Sequence, residues 1–90
     1  MDNQTHEIMS ILQEECAEVI QAVSKCFRFG ADQCKPGKDY TNVQHLEEEI
    51  GDLLAMVDIL VEKKILTEDR LKTAKAAKQI KLQTWSNIYK

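Results

Sequence analysis

From Thr5 to Phe27 the apolar positions Ile8, Ile11, Leu12, Val19, Val23 and Cys26 recur every three or four residues, the period of a helix with one buried face. The pattern lapses near Gly30. Residues 30–41 hold the only proline and two of the three glycines, which predicts a loop with room for one short helical turn and no strand. Periodicity resumes at Asn42, with Thr41 or Asn42 as N-cap. It runs through Leu46, Ile50, Leu53, Leu54, Val57, Leu60 and Val61 to about Lys64, a helix of about 34 Å. A tight break follows at Ile65-Leu66-Thr67. Thr67 is placed to cap a third helix from Glu68 to about Ser86, with Glu68 and Asp69 at its positive end and Leu66 positioned to staple onto Leu71. Three helices with short links predict an all-α, antiparallel fold.

Charge interrupts two of these apolar faces. With Glu15 at zero on a wheel of about 100° per residue, Ile8, Ile11, Val19, Ala22 and Cys26 fall within about 40° of it, and Glu18 lies about 60° away. With Glu49 at zero on the second helix, Leu53, Met56 and Leu60 fall within about 40°, and Asp52 again lies about 60° away. Glu47 and Asp58 fall on the far side, where solvent is expected. An ionised carboxylate in an apolar setting costs several kcal/mol, and neighbouring carboxylates raise one another's pKa. Glu15, Glu18, Glu49 and Asp52 therefore need a cation.

Those two faces offer no base except Lys25 at their edge. A hard divalent ion fits better: Mg²⁺, with Mn²⁺ as a substitute, prefers oxygen ligands and keeps positions open for water or a substrate phosphate. Two other arrangements remain open on the residues alone. The acids could flank narrower seams and pair with lysines of the third helix. A di-iron carboxylate bundle is disfavoured because it requires Glu-x-x-His on two helices, and Asn3 and Asn42 stand three residues before His6 and His45.

Composition narrows the class. Ninety residues allow one domain, 1–90, whose core is thin unless copies share it, so a homodimer or homotetramer completing a four-helix-bundle-like core is expected. Apolar residues at 43% and charged residues at 30% exclude a disordered chain. No apolar run approaches the roughly 20 residues of a membrane span, and the start Met1-Asp-Asn-Gln-Thr-His lacks signal-peptide features, so a cytoplasmic location without membrane contact is expected. Cys16, Cys26 and Cys34 are odd in number and form no C-x-x-C pair, so they read as small buried or loop residues. The net charge of −3 conceals an asymmetry: residues 1–60 carry −8 and residues 61–90 carry +5.

Glu14-Glu15-Cys16-Ala17-Glu18 followed by Glu48-Glu49-Ile50-Gly51-Asp52-Leu53-Leu54 resembles the E-E-x-x-E … E-x-x-D signature of the MazG-like, all-α nucleoside triphosphate pyrophosphohydrolases, a superfamily that includes dimeric dUTPases. The closing segment Lys81-Leu82-Gln83-Thr84-Trp85-Ser86-Asn87 also looks like small, phage-type members. The resemblance implies Mg²⁺-dependent cleavage of a nucleoside triphosphate between the α and β phosphates, with Glu15, Glu18, Glu49 and Asp52 as metal ligands. One departure from the family pattern is the length between Glu18 and Glu49, with the extra residues in the 30–41 loop, where they bear on substrate contacts more than on metal.

Such a reaction needs positioning and charge neutralisation more than covalent chemistry. Glu18, with Glu15 next, is the candidate to accept the proton of the attacking water. Lys25, Arg28, Lys35 and Lys38, with Lys75 and Lys78 of the third helix, are candidates to hold the triphosphate. Phe27, Phe29, Tyr40, Trp85 and Tyr89 are candidate platforms for the base or fillers of a dimer core. The alternative is a non-enzymatic helical module whose basic third helix docks an acidic partner. A pI near 5.3 argues against general nucleic-acid binding.

Overall fold

A computed structural model describes residues 1–90 as three helices without a strand: α1 (Asn3–Phe29), α2 (Asn42–Glu62) and α3 (Glu68–Trp85). The all-α expectation holds. By contact the chain divides into two compact units, Met1–Ile59 and Leu60–Lys90. No helix is long and apolar enough to cross a membrane.

α1 starts two residues before the expected Thr5, because Asp2 caps it: its carboxylate accepts from the Thr5 backbone N–H at 2.7 Å. That bond, to the amide of Thr5, also holds the Asp2 carboxyl below its ordinary pKa. α1 ends at Gly30, with φ 97° and ψ 135°, a conformation that strains any L side chain. The Gly30 carbonyl accepts from Gln33 N at 3.2 Å and from the buried Asn42 side chain at 2.9 Å, tying the end of α1 to the start of α2. A Cβ at Gly30 would also stand 3.1 Å from Gln33 Cγ. Gly30→Ala is expected to cost about 1–3 kcal/mol in urea unfolding; an unchanged midpoint would show that the turn bears no strain.

The 30–41 loop contains no helical turn. A single antiparallel bridge joins Cys34 and Thr41, and Asn42 N and Val43 N donate to Gln33 O and Ala31 O at 2.9 and 3.0 Å. Thr41 is the cap of α2 in a reciprocal box: Gln44 N donates to Thr41 Oγ1 at 3.1 Å and Thr41 N donates to Gln44 Oε1 at 2.8 Å. α2 stops at Glu62, short of Lys64, because Lys64 enters the left-handed region at φ 62° and the Leu60 carbonyl takes the Ile65 and Leu66 N–H groups. Thr67 has the extended backbone of a cap, yet its side chain makes no capping bond. Ser86 lies just outside α3, its hydroxyl donating to Leu82 O at 2.7 Å.

Only Ile8, Ala22, Leu60 and Asn42 are buried. On α1 the half-buried residues Ile11, Leu12, Glu15, Val19, Lys25 and Cys26 continue the seam of Ile8 and Ala22, and on α2 His45, Leu46, Glu49, Leu53, Met56 and Val57 continue that of Asn42. Val23, Ile50 and Leu54, expected inside, are exposed. They belong to a second apolar stripe on each helix, about 80–140° around from the acid: Met9, Ile20, Val23 and Phe27 on α1, and Val43, Ile50 and Leu54 on α2, all exposed. Cys16, expected buried or in a loop, is exposed on α1; Cys26 is half-buried, and Cys34 is exposed in the loop.

Candidate metal centre

The bonds that Asn42 and Val43 donate to the Gly30 and Ala31 carbonyls set the register of the first two helices, and moving away from that junction brings Glu15 opposite the Glu49–Asp52 turn. α1 and α2 therefore run antiparallel. Glu15 and Glu49 sit half-buried in the inward seams and Asp52 is exposed at the rim; one carboxylate oxygen from each lies within 4.8 Å of the others. Opposite ligands of Mg²⁺ stand about 4.2 Å apart, so small side-chain rotations suffice to close the set on an ion. An all-carboxylate donor set also suits a hard cation. Glu18 lies outside this triplet, exposed one turn along α1.

Electrostatics point the same way. Partial burial, then the charges of Asp52, Glu49, Glu18 and Glu14, push the Glu15 carboxyl above its ordinary pKa. Within Met1–Ile59 no Lys or Arg stands within ion-pair distance of the four acids. Because the folded chain holds the Glu15 proton more tightly than the unfolded chain, this residue's contribution to stability is present below its ordinary value of 4.5 and is lost as pH rises through the raised value. The stability difference between wild type and Glu15→Gln in metal-free urea titrations should accordingly widen in favour of the variant as pH rises from about 4 to about 7. A difference independent of pH would remove the repulsion inferred here.

His45, which completes no Glu-x-x-His pair, faces Glu49 instead. One turn before Glu49, it places Nε2 at 3.6 Å from Glu49 Oε1 and stacks on Tyr40, with ring centroids 5.9 Å apart. The signal was available as His45-x-x-x-Glu49, an i, i+4 pair.

The cations fall into three places. Lys25 and Lys35 line one cleft of about 370 Å³ with Phe29, Gln33, Cys34 and Asn42. Arg28, on the last turn of α1, lies over the Phe29 ring at 4.9 Å, while Lys38 is exposed in the loop and outside that cleft. Lys75 and Lys78 are exposed on α3, in the other unit, where Lys72 pairs with Glu68 at 3.7 Å. Of the aromatic candidates, Phe29 lines the cleft, Tyr40 supports His45, and Phe27, Trp85 and Tyr89 are exposed.

Comparison with curated proteins and with solved structures gives no match. The family model of the MazG nucleotide pyrophosphohydrolase domain matches residues 3–82. That span takes in both acid-bearing helices and all but the last turn of α3, and the chain therefore belongs to the MazG nucleotide pyrophosphohydrolase domain family.

Proposed function

We propose that the chain, acting as one domain over 1–90, hydrolyses a nucleoside or deoxynucleoside triphosphate between the α and β phosphates to the monophosphate and pyrophosphate, in nucleotide-pool control or sanitation. The observation that carries this reading is the convergence of Glu15, Glu49 and Asp52 from two consecutive helices in a chain of this family. Together with Glu18 they hold Mg²⁺, or Mn²⁺ in its place. A bound divalent ion supplies neutralisation of phosphate charge and a lowered pKa for its water.

The chain's own groups do the rest. Glu18, exposed at the edge of the set, is the first candidate to take the proton of the attacking water, with Glu15 as the second. Lys25 stands two turns beyond Glu18 on the same ridge of α1, about 10.5 Å along the axis, a reach suited to a phosphate tail. Lys35, which lines the same cleft as Lys25, adds positive charge, as do Arg28 on the last turn of α1 and Lys38 in the loop; Lys75 and Lys78 are further contributors. The outward stripes of α1 and α2 are covered by a second copy, giving a homodimer or homotetramer with a four-helix core.

Incubation with a panel of NTPs and dNTPs is expected to release pyrophosphate only with Mg²⁺ or Mn²⁺ present. The reading falls if no nucleotide is cleaved and the melting temperature is indifferent to Mg²⁺ plus nucleotide.

A further inference from the structure

We propose that His45 is a positioning residue for Glu49: its Nε2–H holds one oxygen of that carboxylate so that the other is presented to the ion, an inference that rests on the metal centre proposed above. The imidazole faces Glu49 through Nε2 at 3.6 Å, and an ionised carboxylate is acceptor-only, so the proton of the neutral ring belongs on Nε2. The other nitrogen, Nδ1, is buried without any hydrogen-bond partner. No other hydrogen bond on the ring therefore competes with Glu49.

One contact holds the ring, and a cap holds the turn that carries it. Tyr40 stacks against it at an interplanar angle of 21°, and the reciprocal Thr41–Gln44 cap sets the first turn of α2, in which His45 N donates to Thr41 O at 3.0 Å. Both side chains of the pair are largely shielded, with 23% of His45 and 15% of Glu49 exposed, so their interaction is not dissolved by solvent as a surface pair would be. The separation is about half an ångström longer than a hydrogen bond and tightens when the carboxylate is drawn into a loaded site. Partners that orient a metal's carboxylates change its affinity by about 10–100-fold when removed.

The test is Mn²⁺ binding by the full chain, followed by calorimetry and by electron paramagnetic resonance, in wild type, His45→Phe, His45→Gln and Glu49→Gln. Phe keeps the ring against Tyr40 and removes the N–H; Gln keeps an amide donor near Nε2 and removes the ring. The expected results are a loss of about 10–100-fold in Mn²⁺ affinity for His45→Phe and near-wild-type affinity for His45→Gln. Pulsed spectra of the wild type should show no directly coordinated nitrogen, a readout that needs no variant to fold. The proposal is overturned if His45→Phe binds Mn²⁺ as wild type does, if Gln loses as much as Phe, or if a nitrogen coordinates the ion. Failure of the metal centre itself looks different: wild type and Glu49→Gln would then be equally unable to bind Mn²⁺.

Discussion

Replacing Glu49 by Gln is expected to lower metal-supported pyrophosphate release by on the order of 10²–10³-fold, the loss seen when one preorganised electrostatic contact to a transition state is removed. The substitution keeps volume and shape, so it changes little besides charge. Glu49 is half-buried between His45 and the other acids, and without metal its charge works against the fold through repulsion with Glu15. Metal-free Glu49→Gln should therefore melt no lower than wild type, and the stabilisation that Mg²⁺ gives the wild type should shrink. Activity and thermal shift measured side by side distinguish this from simple damage. Undiminished turnover, or unfolding of the metal-free variant, would reassign Glu49 as a structural partner of His45.

Ile20→Asp is expected to break the proposed assembly into single chains. Ile20 is 69% exposed on the outward stripe of α1, so the aspartate disturbs nothing the chain packs by itself, and helical circular dichroism should persist. In an interface, each buried isoleucine contributes about 1.5–3 kcal/mol and each unpaired buried charge costs several more. A change of that size weakens association by more than about 10²-fold. Gel filtration should show the wild type at two or more chain masses and the variant at one. The melting temperature should rise with protein concentration for the wild type alone. A wild type that elutes as one chain at every concentration would refute the shared core.

Periodicity revealed the three helices and the inward position of Glu15 and Glu49, because a seam facing a neighbouring helix must repeat at the helical period and a polar group within it stands out. The same periodicity counts Val23, Ile50 and Leu54 with the buried faces, although they are exposed. A wheel measures only the width of an apolar arc. It cannot tell that the arc divides into a stripe facing the chain's own second helix and another facing outward. Helix ends were less legible for a related reason: Asp2 as a cap and Lys64 at positive φ depend on single hydrogen bonds and dihedrals that leave no periodic trace. The His45–Glu49 contact is present in the sequence as an i, i+4 spacing, which the Glu-x-x-His pattern does not cover, since a ligand pair of the di-iron type sits at i, i+3.

The junction that joins α1 to α2 separates two kinds of change. Bonds donated by Asn42 and Val43 to the carbonyls of Gly30, Ala31 and Gln33, with the Cys34–Thr41 bridge, close the hairpin around residues 35–39. Those five residues hang outside the clamp and short of Tyr40, so they can lengthen, shorten or exchange side chains without shifting the register that brings Glu15 to Glu49 and Asp52. Selection or design can thus retune the rim around Lys35 and leave the carboxylates where they are, which makes this loop the place to graft new side chains beside an unchanged acidic cluster.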